Sequence, residues 1–204
     1  MFDFLSLILI SCAVFLYFNT ATSSFLQPSK QQIQISKMEN LKLPKLEIGD
    51  LIFRRGNSLE SVIISQISGH YYTHLGILIA STPPLIIYAT TDDNLNKPNQ
   101  VILSSLEEFV SRAQALAIKR LPLTKAQKEI IALTAKSQLG KKFVLNEGND
   151  TLYCTTFIEN LLTPHIKLNL TYEELNLPTL SGKYLFPKAF FNEVQAKLIY
   201  EKRF

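Results

Sequence analysis

Asp150-Thr151-Leu152-Tyr153-Cys154-Thr155-Thr156-Phe157-Ile158-Glu159-Asn160-Leu161-Leu162 reads as a short polar approach followed by the first turn of an amphipathic helix. A thiol at a helix N-terminus feels the positive end of the macrodipole, which favours thiolate over thiol. A free cysteine can equally serve as a small buried hydrophobe. The segment alone leaves both roles open, so its neighbours decide.

Working outward, the compact part of the chain is expected to begin near Pro44-Lys45-Leu46-Glu47-Ile48-Gly49-Asp50, with Leu51-Ile52-Phe53 as a strand after a Gly-Asp turn. Asn57-Ser58-Leu59-Glu60 opens a helix with Val62, Ile63 and Ile67 on one face, and Gly69 ends it. His74 to Ala80 is a buried strand, and the Pro83-Pro84 turn leads to a second strand at Leu85 to Thr90. Asp92 to Asn99 is a polar loop. Val101-Ile102-Leu103 forms a third strand, and Ser105 with Glu108 caps a short helix. Ala115 to Leu121 is a fourth strand. Thr124 with Gln127 caps a helix that Gly140 closes. Beyond the cysteine helix, Thr171 and Glu174 again have capping-box spacing, and Pro187 suits a helix start.

Bulk properties exclude several classes. The 204 residues are 47% hydrophobic and 19% charged, enough for one domain with a proper core and appendages. The chain has two cysteines, and Cys12 lies in the N-terminal apolar stretch, so the folded part has no internal disulfide. Three histidines and one cysteine in that part lack zinc-finger spacing. The net charge of +4 is spread over pairs such as Arg54-Arg55 and Lys141-Lys142, without aromatic interleaving, which argues against nucleic acid as a partner.

Residues 1–23 read as a signal peptide or a membrane anchor. Phe4 to Phe18 is apolar, no charge occurs from Phe4 through Pro28, and Ala21-Thr22-Ser23 offers small residues for cleavage. Leu9-Ile10-Ser11-Cys12 has the look of a lipobox, although the apolar run continues past the cysteine. Residues 24–44 read as a linker, and residues 45–204 as the catalytic domain. Membrane association, or export, is the expected location.

Of the histidines, His165 follows Pro164 as a surface residue, and His70 lies in a loop. His74 sits where polar Tyr71-Tyr72-Thr73 enters an apolar strand. There an imidazole either finishes a strand end or projects into a cleft. A cysteine nucleophile needs a base within reach, and that base needs an orienting partner.

Four blocks together resemble a known family: Gly49-Asp50-Leu51-Ile52-Phe53-Arg54, Tyr72-Thr73-His74-Leu75-Gly76-Ile77, Gly140-Lys141-Lys142-Phe143 and Tyr153-Cys154-Thr155-Thr156-Phe157. Their order is similar to that of the YiiX/YebB-like permuted papain-fold enzymes of the NlpC/P60 superfamily. The resemblance spans about residues 46 to 204. Histidine precedes cysteine, as in the permuted branch that includes the lecithin:retinol acyltransferase-like proteins. It implies an α+β, circularly permuted papain-like fold, an antiparallel sheet packed against helices, here with an N-terminal apolar helix. It also implies Cys154 as nucleophile, His74 as general base and no metal or organic cofactor.

The third catalytic position, usually polar or acidic in the family, falls on Tyr88, whose phenol can accept a hydrogen bond from imidazole but carries no charge at pH 7. Thr156 replaces a commonly acidic residue, and Phe143 a frequent tyrosine; Asp92 or Asp93 is an alternative partner for His74. The implied chemistry is acyl transfer through a thioester on an amide of peptidoglycan-type peptides. A lipid-like acyl substrate, or an inactive binding module of the same fold, is the alternative.

Overall fold

The computed structural model describes residues 41–91, 99–145, 151–177 and 180–204. The expected N-terminal helix, linker start and Asp92/Asp93 lie outside these residues. Among the described residues no helix is long and apolar enough to cross a membrane.

Among the described residues, eight strands and five helices follow in order. They are β1 (Leu51–Gly56), α1 (Leu59–Ser68), β2 (His74–Ser81), β3 (Pro84–Thr90), β4 (Gln100–Ser105), α2 (Leu106–Ser111) and β5 (Ala113–Arg120). Then come α3 (Lys125–Ser137), α4 (Cys154–Leu162), β6 (Glu173–Leu177), β7 (Leu180–Tyr184), α5 (Pro187–Asn192) and β8 (Lys197–Arg203). Six strands form one antiparallel sheet in the order β4-β3-β2-β1-β5-β8, and β6-β7 is a separate hairpin. The fold is mixed α+β with a large antiparallel sheet, as the sequence implied.

Alternation along the strands gives the sheet two apolar faces. Leu51, Phe53, Leu75, Ile77, Ile87, Ala115 and Ala117 join one core with Phe157, Ile158 and Leu161 of α4 and Ile131 of α3. Ile52, Leu78, Ile86, Leu116 and Ile118 point the other way and are also fully buried, as is Phe109 of α2. The β1 entry is fixed by Gly49 in the left-handed region, φ 89°, and by fully buried Asp50, whose carboxylate accepts two hydrogen bonds from Arg120.

Several local expectations need correction. Val62 and Ile63 are exposed, and the buried side of α1 carries Ser61 and Ser68 instead. The cause is close approach: a Cβ on Gly56 would lie 2.1 Å from Ser61 Oγ, so only small residues fit between α1 and β1. The helix of residues 125–137 stops at Gln138, two residues before Gly140. Thr171 and Glu174 cap nothing, because residues 173–177 form β6, and Pro178 bars a helix of any length there. β8 went unforeseen. Its charged residues are those of an edge strand, which hide the alternation of Leu198 and Tyr200.

Candidate active site

Cys154 is the first residue of α4, and it is buried. The helix starts firmly: the Tyr153 N–H donates to Thr156 Oγ1 at 2.9 Å, the half of a capping box that a side chain three residues on supplies. Thr156 thus performs the reach-back that a Glu or Gln makes in a capping box. The Tyr153 hydroxyl accepts from the Leu185 N–H at 2.8 Å, and the Thr155 hydroxyl donates to the Leu185 carbonyl. These bonds tie the start of α4 to the segment joining β7 and α5.

Burial pushes the Cys154 thiol up to about 11, against the opposing pull of the Leu75 and Thr155 backbone amides. Desolvation thus works against the thiolate that a helix start favours, and its sign here is towards the thiol. The Leu75 amide places the sulfur beside the strand that begins with His74. It is available because the β2–β3 ladder runs from Ile77 opposite Ile87 to Ser81 opposite Pro84, leaving the first residues of β2 outside it.

His74 is half-buried and, with Cys154, lines a cavity of about 280 Å³. Its pKa lies well below the ordinary imidazole value, through burial first and the Arg54 cation second, so the ring is neutral at pH 7. Nε2 is buried without a hydrogen-bond partner.

Tyr88 meets His74 ring to ring, with centroids 5.0 Å apart and planes at 89°. The expected hydrogen bond from imidazole to phenol is not formed. Tyr88 is buried on β3, on the same face as His74, and its side chain runs past the imidazole so that the phenol bears on Arg54. Phe109 flanks both rings, at 5.9 Å from His74 and 5.0 Å from Tyr88.

Arg54 received no role from the sequence. It stands opposite His74 in the β1–β2 register, is only 8% exposed and lines the same cavity. Its position directly before a charged neighbour, Arg55, disguised it as surface charge. The lining combines polar Arg112 and Thr90 with an apolar portion that includes Ile63, Ile64, Ile67, Leu180 and Phe186. Phe143 also lines the cavity. His165 is remote in role: its carbonyl accepts from Gln127 Nε2 at 2.7 Å.

Residues 45–189 match the model of the permuted papain-like amidase family, YaeF/YiiX, C92. The chain belongs to this family. The C92 assignment covers every strand of the central sheet except β8. No curated protein matches the chain. Among solved structures, the C92-type chain is similar to the metalloprotein YiiX from Escherichia coli O157:H7, at 19% identity and a TM-score of 0.66. The likeness covers 78% of this chain and 99% of that one, and it shows a shared permuted papain-like fold. Among the described residues of this C92 member, no group of three or more His, Cys, Asp or Glu side chains could hold a metal ion.

Proposed function

We propose that this C92-family protein is a cysteine amidase in which Cys154 is the nucleophile and His74 the general base, acting on amide bonds of peptidoglycan-type peptides. The supporting observation is the meeting of two elements at one cavity: the helix start carrying Cys154 and the strand start carrying His74, with the Leu75 amide beside the sulfur. Both groups rest neutral. As sulfur attacks the carbonyl carbon, the thiol proton passes to the imidazole and the carbonyl oxygen becomes an oxyanion near the first N–H groups of α4. The imidazolium then protonates the leaving amine as the C–N bond breaks, leaving a thioester. Water, deprotonated by His74, attacks that thioester, and the sulfur departs with the proton to restore the thiol.

Tyr88 and Phe109 hold the imidazole by packing, a role that needs no charge. We further propose that residues 1–23 carry the domain to the membrane or through it.

A second reading keeps the chemistry and changes the substrate to a lipid-like acyl group. The apolar portion of the cavity lining favours it. Incubation with peptidoglycan fragments and, separately, with radiolabelled phospholipid vesicles tests both readings. A mass increment on Cys154 equal to the acyl group of a peptide supports the first. An increment from lipid alone transfers the conclusion to the second, and none from either sinks both.

A further inference from the structure

Arg54 is a buried cation that no carboxylate among the described residues neutralises. Among the described residues no carboxylate forms an ion pair with it, whereas Arg120, its counterpart at the other end of the β1–β5 pair, binds both Asp50 and Glu47. Arg54 Nη1 donates to the Phe109 carbonyl at 3.2 Å, and the guanidinium also meets the uncharged Tyr88 phenol. Nε is buried without a partner. The guanidinium carbon lies 4.5 Å from the Phe109 ring centroid and 5.5 Å from that of Tyr88, so aromatic rings flank the charge. Such rings and neutral partners offset part of the desolvation cost but leave Nε unpaired and the positive charge unmatched by a carboxylate.

The cavity that Arg54 lines also holds the proposed nucleophile and base, and the base lies on the adjacent strand directly across the pair. Glu60 is the acidic residue on the lining; it is exposed. A planar guanidinium fits a carboxylate through two parallel hydrogen bonds, and a desolvated pair of that kind is stronger than a solvated one.

We infer that Arg54 is a specificity-determining residue that binds a free carboxylate of the substrate, next to the scissile amide. The substrates of choice are thus acylated amino acids or peptides ending close to the cleaved bond, with the acyl part against the apolar portion of the lining. This rests on the proposed Cys154–His74 hydrolase for its turnover, but not for its binding.

The test pairs N-octanoylglycine with its neutral isostere N-octanoylglycinamide. Wild-type protein should hydrolyse the acid about 10- to 100-fold more efficiently in kcat/KM, the range for a charge-assisted contact. Calorimetry on the C154S variant should show a similar ratio in Kd. R54Q should bring both ratios close to one, and R54K should retain part of them. In the C154S protein, the ¹⁵Nε–H resonance of Arg54, identified by its loss in R54K, should shift with the acid and stay fixed with the amide. That measurement decides the matter even if R54Q does not fold.

Equal binding of acid and amide, absence of binding by both up to their solubility, an unmoved Arg54 resonance, or a folded R54Q that keeps the ratio overturns the assignment. Preferential binding without turnover of either compound leaves Arg54 as an anion site and removes the hydrolase reading. Turnover without discrimination does the reverse.

Discussion

Arg54 and His74 face each other across the β1–β2 pair, one a buried cation and the other an imidazole held neutral partly by it. The site therefore rests as thiol and neutral base rather than as a thiolate–imidazolium pair. A proton must move as the sulfur attacks, which makes the base obligatory at every turnover.

Replacing Cys154 by Ser should lower kcat by at least about 10³-fold, since serine at this position inherits no better base and attacks more poorly. The size change is small, so the thermal midpoint should move little. Hydrolysis assays with parallel circular-dichroism melts check both. Activity retained within tenfold would remove Cys154 from the mechanism.

The raised thiol predicts slow alkylation. At pH 7 iodoacetamide should modify Cys154 more slowly than it does a free model thiol, and the rate should climb towards pH 11. Stability has the same sign. Above the ordinary thiol range the unfolded chain releases a proton that folded Cys154 keeps, so that contribution is intact below the unfolded pKa and is lost as pH rises from there towards about 11.

His74 works in the opposite direction. Its folded pKa is depressed, so below about pH 6.5 the unfolded chain takes up a proton that the folded ring refuses, and stability falls with acid. Urea midpoints at pH 7 and pH 5 should drop less in H74N than in the wild type. Equal drops would show that His74 is not desolvated.

Tyr88→Phe keeps the edge contact with His74 and removes only the phenol. Turnover should stay within several-fold of wild type, while Tyr88→Ala should destabilise the domain by about 3–5 kcal/mol through the cavity left beneath α2. A loss of two orders of magnitude in folded Y88F would restore the phenol as a hydrogen-bonding orienter.

Gly76→Ala should disturb the site from behind. A Cβ there would lie 2.6 Å from Ile86 Cγ2 and 3.4 Å from Tyr88 Cβ, forcing β3 away from β2 two residues from His74. Overpacking of this kind costs about 1–3 kcal/mol and should lower activity beyond what the melting shift explains. Thermal unfolding and kcat together check it.

The cysteine helix, the histidine strand and the strands between them were legible because each carries a clear period and a clear start. Ser105 and Thr124 cap their helices as their spacing implied, and Ser58, within the expected helix start at residues 57–60, caps α1. Short segments whose character comes from pairing were not. Residues 173–177 and 197–203 become strands only because β7 and β5 lie beside them. Within the site, alternation puts His74 on the face opposite Leu75, away from α4. What joins the two sides is the early end of the β2–β3 ladder, a feature of register that no local pattern encodes. Arg54 was hidden for a related reason, since a charged residue at a strand end reads as solvated until its neighbours are known.

The permuted order also has a consequence in time. During synthesis the strands bearing the cation and the base leave the ribosome well before the helix bearing the sulfur, and β8, which lies at the sheet edge beside β5, comes last. Strands β1 to β4 are consecutive neighbours, and β5 adds to β1, so five of the six strands precede the reactive atom in the order of synthesis. The thiol is thus made after every strand that carries its proposed partners, and a chain halted before residue 154 holds the base and the cation but no nucleophile.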